Sequence, residues 1–574
     1  MNIHTWFYAL LFLTIANSDS NAYLHSATIR RIFEATSVAV PLSIIANSID
    51  TRSLGAGQAV DSGVLKVNRA PPTTTPFVSV STQSQISHSA PTYDVTILGG
   101  TLGIVLAASL QSRGLSVCVV ERGLVQGRDQ DWNIGNNELE ELKAIMTDEQ
   151  IQSIPFIDYE KTRVKFNSEQ THSLPGVLNR GISPKSLIST IRSNFESSGG
   201  VVHESTSVKG VTITPTSAVV QAEEDIYITS KLVVDCMGNG SPISKQIRGD
   251  EVANGVCIVV GTQADGFKPE YRGADLIVSD DDIVDLGTGE RRQYFWESFP
   301  NINGKRTTYL FTYLDDDSRR DGVESVWNDY VAMLPGYMNE NHEGFGEGKS
   351  VEECMDEGSF KPAKSFTGVF KTFKNSPIQM DFDRIVSVGD ASGVQSPLSF
   401  GGFGAMLRHL NRYSDSLTEA ISENVTSKND LNLMNGYLPN QACTWMFQKS
   451  MSVPMDDTRD AVFINRLMRN NYKGMMSSDE LVWKSFNQDV VKPGPLLKVI
   501  TMATIIDPLN IPTLLKVVGP KELTEWMGHV FMMTLYNWLD SSMIAPESGG
   551  GIEGWRNRRK RELWKYGSGR DYHI

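Results

Sequence analysis

The sequence predicts an α/β protein whose nucleotide-binding sheet is assembled from three separated stretches of chain. Three observations carry this. Tyr93 to Gly123 reads as strand, glycine turn, helix, strand; Lys231 to Asp235 is an apolar strand closed by a carboxylate and followed by Gly238; Ile385 to Val388 is another, ending in Gly389-Asp390 ahead of a glycine run. Strands buried on both faces of a parallel sheet give such near-continuous apolar runs, and open α/β sheets bind ligands at the carboxyl ends of their strands. The 574 residues exceed one ordinary domain, and a composition 40% hydrophobic and 21% charged is that of a globular chain. A net charge of −14 argues against nucleic acid as the main partner, because a phosphate backbone needs a cationic surface.

The N-terminus reads as address rather than fold. Trp6 to Ala16 is an apolar stretch of signal-peptide length, so residues 1–22 are expected to be a signal peptide. Residues 23–70, rich in Ser, Thr and Ala with Arg30, Arg31 and Arg52 and few acids, have the chemistry of a transit peptide. Two such signals in series resemble the import leaders of algae whose plastids sit inside extra membranes; secretion with a pro-segment is the alternative. The five cysteines form no C-x-x-C pair and no His-rich cluster, so neither a disulfide framework nor a metal site is expected. Residues 71–92 are a Pro/Ser/Thr linker with little to pack, and folding is expected to begin near Tyr93.

From Tyr93 the elements follow in order. Val95 to Leu98 is a strand, Leu102 to Arg113 a helix and Ser116 to Glu121 a second strand. In the turn Gly99-Gly100-Thr101, Gly100 is expected to let the backbone approach a pyrophosphate and Gly103 to let the helix pack tightly on the strand, with the helix N-terminus supplying amide donors. Glu121 lies 18 residues beyond Gly103 and ends the second strand, where a carboxylate can accept ribose hydroxyls. The G-x-G-x-x-G pattern is incomplete, since Leu98 occupies its first glycine position.

Two later segments resemble those of FAD enzymes. KLVVDCMGNGSPISKQIR, with Asp235, Gly238, Ser241 and Arg248, is similar to the D-x-x-G-x-x-S segment of flavin hydroxylases, geranylgeranyl reductases and lycopene cyclases. DRIVSVGDASGVQSPLSFGGFGAMLRH is similar to the segment in which those families use the carboxylate after Gly389, here Asp390, on the ribityl chain. There Pro397, Gly401, Gly402 and Gly404 bring the backbone close to the flavin ring. Together with the GGTLGI turn and RDQDWNIG (Arg128 to Gly135), these stretches resemble the plastid lycopene beta/epsilon cyclase-like proteins of plants and algae over about Tyr93 to Tyr536. The resemblance implies a Rossmann-type FAD-binding domain of the hydroxylase and glutathione-reductase type with an inserted β-sheet substrate domain and a helical C-terminal extension. The expected parts are 93–250 and 381–423 for the FAD-binding domain, 251–380 for the substrate domain, 424–545 for the helical region and 546–574 for a basic tail. It further implies Arg122 and Arg128 as groups near the FAD phosphates, and an isoprenoid or carotenoid substrate.

The chemistry is less legible. Cyclases of this superfamily carry an acidic motif in the substrate sheet, and its nearest counterpart here is Glu297 within Tyr294 to Phe299. Glu297 among aromatics is a candidate general acid with a pKa raised by desolvation, Trp296 and Phe299 lining an apolar slot; the plain alternative is an amphipathic strand with Glu297 in solvent. No second complete Gly-rich βαβ unit appears, so NADPH, if it is the reductant, visits the flavin transiently, or an external reductase supplies the electrons. Trp132 and Asn133 are expected to order their loop or edge the cavity, and His409 to be structural.

From about Asn424 the chain reads as helical and rich in Met and aromatic residues. The segment from Pro493 to Gly519 is strongly apolar but broken by Asp507, Pro508 and Pro512, which suits a monotopic membrane contact or a lid over an apolar cavity. The tail Arg556 to Arg570 is expected to be a solvated helix or an anionic-lipid contact. A flavin monooxygenase or halogenase remains the alternative activity, although no Trp-x-Trp pair is present; a flavin-binding assembly or regulatory protein without turnover is a third reading.

Overall fold

A computed structural model describes residues 76–573 apart from 84–89, 168–170, 268–271, 288, 343–347 and 543–548. The signal peptide, the transit peptide and the start of the linker lie outside the described residues. The nucleotide sheet runs in the order Val78–Val80, Val208–Ile213, Ala218–Ala222, Tyr227–Asp235, Thr92–Leu98, Val117–Val120, Val201–His203. Tyr227–Asp235 has a divided edge: its first half pairs antiparallel with Ala218–Gln221 and its second half parallel with Ile385–Ser387. Arg384, almost fully buried, closes the junction by donating to the carbonyls of Thr214, Pro215 and Lys231.

The apolar runs are buried on both faces. Val95, Ile97, Val119, Leu232 and Val234 pack beneath the helices Gly103–Ser112, Pro184–Ser197 and Gly402–Ser422, while Leu98, Val120, Val233 and Ile385 pack on the other side. Parallel registers align Leu98 with Val120 and with Asp235, and Asp235 with Ser387. The three segments singled out by sequence therefore end side by side.

The second sheet runs Lys361–Thr372, Gly255–Asp265, Arg306–Leu314, Phe295–Pro300, Gly273–Ser279, Lys161–Phe166, Thr171–Ser173. The helix Val323–His342 covers one face through Trp327, Tyr330 and Leu334. On the other face Phe295, Phe311 and Tyr313 meet Met451, Phe463 and Met468 of the C-terminal helices.

Three boundaries differ from the sequence expectation. Val78–Val80 lies in the expected linker yet joins the nucleotide sheet parallel to Val211–Ile213, and Gln246 bonds both Val78 N–H and Val78 C=O. Lys161–Phe166 and Thr171–Ser173 belong to the substrate sheet although they fall inside 93–250. The tail is neither frayed nor free. Within the helix Gly551–Gly567, Trp555 is fully buried and donates to the Ser416 carbonyl, and Arg558 and Arg559 pair with Glu419. Of the arginines that suggested solvent or lipid, Arg558 and Arg559 are spent on the helix Gly402–Ser422 and Arg556 on Asp430.

Candidate active site

The carboxyl ends of the parallel strands open into a cavity of about 1330 Å³ that runs on to the face of the second sheet. Gly99, Gly100, Thr101, Glu121, Arg122, Arg128, Gly238, Gly389, Asp390, Gly401, Gly402, Gly404 and Glu297 all line it. Gly103, Asp235 and Pro397 lie behind its wall.

Gly99 makes the turn that the missing first glycine would have made. Its φ is +98°, and a Cβ there would sit 2.4 Å from the Cys236 carbonyl oxygen, so only glycine lets the first and second segments touch. Gly103 packs its α-carbon toward Ile97, where a Cβ would lie 2.8 Å from Cγ2, as its spacing implied. Gly100 is different. Its amide donates to Glu121 Oε2 at 2.6 Å, and a Cβ would meet Val125 Cγ2 at 2.5 Å; wall packing, rather than an approaching ligand, is what requires glycine there. The other Glu121 oxygen accepts from Gly123 N–H at 2.8 Å, so two amides fix the carboxylate at the strand end. No side chain caps the following helix at Leu102, which also lines the cavity.

Asp235 corrects the sequence reading. It is fully buried, accepts from Met237 N–H, Ser241 Oγ–H and Ser387 Oγ–H at 3.0, 2.5 and 3.3 Å, and does not face the cavity. Its carboxylate ties the second segment to the third rather than meeting a ligand. Burial nonetheless pushes its pKa up to about 6. Pro397 also stands outside the cavity, between the lining residues Ser396 and Leu398.

Asp390 is the reverse case. Its Oδ1 is buried without a hydrogen-bond partner, and a Cβ on Gly402 would fall 2.4 Å from that atom. Burial raises its pKa to about 6, against the lowering effect of the Arg128 cation. Arg122 and Arg128 are exposed on the cavity rim, and neither makes an ion pair among the described residues. An orphaned acceptor and two unpaired guanidinium groups fit the hydroxyls and phosphates of a dinucleotide.

Glu297 enters from the opposite wall. Strand alternation places Phe295, Glu297 and Phe299 on the cavity side, and desolvation pushes the Glu297 carboxyl up to about 8. Phe299, Phe311 and Tyr313 line the same wall. Trp296 does not. It points to the far face and stacks on Tyr337 at 4.4 Å between ring centroids, so the expected Trp296 side of an apolar slot is absent. Trp132 and Asn133 edge the cavity, Trp132 against Phe403 at 4.5 Å and Asn133 accepting from Tyr159 Oη–H at 2.7 Å.

The tail supplies a wall that sequence reasoning missed. Tyr566, Asp571, Tyr572 and His573 line the cavity, held by Arg408 bonds to both Asp571 oxygens at 2.6 and 2.8 Å and by Lys492 Nζ on the Tyr572 carbonyl at 2.8 Å. His409 lies beneath, 5.1 Å from the Tyr566 ring, and burial together with Arg412 and Arg408 holds its pKa well below the usual histidine value. No local signal marks these contacts, because their partners are more than 150 residues distant for Arg408 and 80 for Lys492.

No protein-family model matches the chain, and no curated protein matches it in sequence. Solved structures do. A geranylgeranyl bacteriochlorophyll reductase-like protein of Thermoplasma acidophilum superposes with a TM-score of 0.51 at 15% identity, over 75% of this chain and 99% of that one. A flavoprotein/dehydrogenase of Cytophaga hutchinsonii gives 0.50 at 13% identity, over 72% and 98%. The likeness is one of fold. The protein has the Rossmann-type α/β architecture with an inserted sheet and C-terminal helices, and these structures share its fold over about three quarters of the chain.

Proposed function

We propose that the protein is a FAD-dependent, lycopene cyclase-like enzyme that acts on an isoprenoid or carotenoid by proton transfer at Glu297. One observation carries the reading: a carboxyl group held protonated by desolvation shares a single large cavity with the glycine turn and the unpartnered Asp390. In this reading Glu121 meets the ribose of the adenosine half, Arg122 and Arg128 the phosphates, and Asp390 the ribityl hydroxyls. A reduced flavin held by these residues would supply electrons or negative charge.

The protein's own part is proton handling. With a pKa of about 8, the Glu297 carboxyl is mostly protonated at neutral pH and can donate from Oε to a polyene carbon. The apolar faces of Phe299 and Phe311 exclude water from that carbon, and the resulting carboxylate can take a proton back from the rearranged chain. The bipartite leader supports a plastid location, and the exposed apolar residues of the C-terminal helices support contact with a membrane surface; no helix among the described residues is long and apolar enough to cross one. Photoreduced protein incubated with extracted plastid pigments tests the reading. Chromatography is expected to show conversion by the wild type and none by Glu297→Gln with its flavin retained; conversion by the variant would remove Glu297 from the chemistry.

A further inference from the structure

Behind the cavity wall lies a second space. Leu398, Met451, Met468, Tyr472, Phe486 and Val490 line the main cavity on one side and, on the other, a cavity of about 120 Å³ enclosed by the C-terminal helices Pro439–Met451, Phe463–Met476, Pro493–Ile506 and Asn510–Val518. Its deeper lining is hydrocarbon: Leu467, Met475, Leu496, Val499 and Ala503. Most polar groups at its edge are engaged elsewhere, Tyr472 Oη–H on Asn487 at 2.7 Å, Asn510 Nδ2–H on the Ala503 carbonyl at 3.2 Å and Lys492 on the Tyr572 carbonyl, and the Asn471 amide is the exception among the described lining residues. A space with so little to hold water favours an apolar guest.

The partition and the outer wall suit the same guest. Met451 and Met468 are unbranched side chains that change rotamer at small cost. The helix Pro493–Ile506 is apolar on both sides, with Leu496, Val499 and Ala503 inward, Leu497 and Ile505 exposed, and Lys498 its one charge. We propose that the second cavity receives the hydrocarbon chain of the substrate while its reacting end lies beside Glu297. The inference rests on the isoprenoid reading above and adds to it a place and a length requirement: the chain passes between Met451 and Met468 into the helical region.

Displacement of a fluorescent polyene fatty acid by prenyl alcohols tests this on the full-length protein. Geranylgeraniol is expected to displace the probe at least about tenfold better than geraniol, the gain from two further buried methylene groups alone. Ala503→Phe and, separately, Val499→Phe fill the space; both are expected to lose the long-chain advantage while keeping geraniol affinity. Equal affinity for the two alcohols in the wild type, or an advantage surviving in both variants, overturns the proposal. A prenyl alcohol with a terminal diazirine, photolysed on the wild type, gives a readout independent of how the variants fold. Labels are expected on the helices 463–476 and 493–506, and labels confined to other segments count against it. Flavin content is recorded in parallel: a wild type that binds long alcohols but no flavin contradicts the enzyme reading and leaves the cavity standing, whereas flavin without a length preference does the opposite.

Discussion

Replacing Glu297 by Gln tests the desolvated acid without knowledge of the substrate. In the fold the carboxyl is pushed from its usual 4.5 to about 8, by burial. A carboxyl whose folded pKa is raised stabilises the fold fully below its unfolded pKa, and that stability is lost as pH rises toward the folded value. The window is therefore about pH 4.5 to pH 8, and within it each pH unit costs the wild type about 1.4 kcal/mol relative to a side chain that does not titrate. The full span gives a ceiling of roughly 5 kcal/mol, which water reaching the cavity wall reduces. Urea unfolding of both proteins between about pH 5 and pH 8 reads this directly. Glu297→Gln is expected to gain on the wild type steadily as pH rises, and activity is expected to fall above about pH 8 as the acid ionises. A stability difference that stays flat across the window would falsify the desolvated acid, and with it the proposed catalytic role.

The two aspartates at the strand ends separate under the same assay. Asp235→Ala breaks three buried hydrogen bonds and is expected to cost on the order of 3 kcal/mol in urea unfolding, whereas Asp390→Asn, which removes no bond, is expected to leave stability unchanged or higher. Flavin retention should show the opposite order, with Asp390→Asn weakening FAD by about tenfold in a fluorescence titration; FAD bound as tightly by that variant removes Asp390 from the cofactor site. Gly99→Ala forces a Cβ to 2.4 Å from the Cys236 carbonyl at positive φ, and soluble, flavin-loaded protein from that variant would contradict the turn described here. Trp555→Ala is expected to lower stability by roughly 3–5 kcal/mol, as loss of a buried indole does; a solvated tail would leave the unfolding midpoint where it was.

What the sequence disclosed was local. The Gly99 turn, Glu121 and the Gly389-Asp390 corner each lie where an apolar strand stops and a glycine follows, a pattern set by a few neighbouring residues. Their convergence followed from parallel register, which brings Leu98, Val120, Asp235 and Ser387 to one edge. Asp235 was misread because its motif says that a carboxylate ends the strand and not which way it turns; Ser241 of its own segment and Ser387 of the third claim it. The exclusion of Trp296 was legible and missed, since period-two alternation cannot put Trp296 and Glu297 on one face. Val78–Val80 and the packed tail were beyond reach. Three residues in a Ser/Thr-rich stretch become a strand only beside Val211–Ile213, and one face of the basic helix is buried because Glu419 and Ser416 lie opposite it.

The glycine turn, Asp390 and Glu297 share one cavity, and the proposed reading is that a flavin and its substrate meet there. Titration of FAD into the cofactor-stripped protein, followed by flavin fluorescence and the visible spectrum, tests it most directly. Saturable binding of one FAD per chain is expected, weakened by Asp390→Asn and unchanged by Glu297→Gln. Absence of saturable FAD binding by the folded wild type would contradict it.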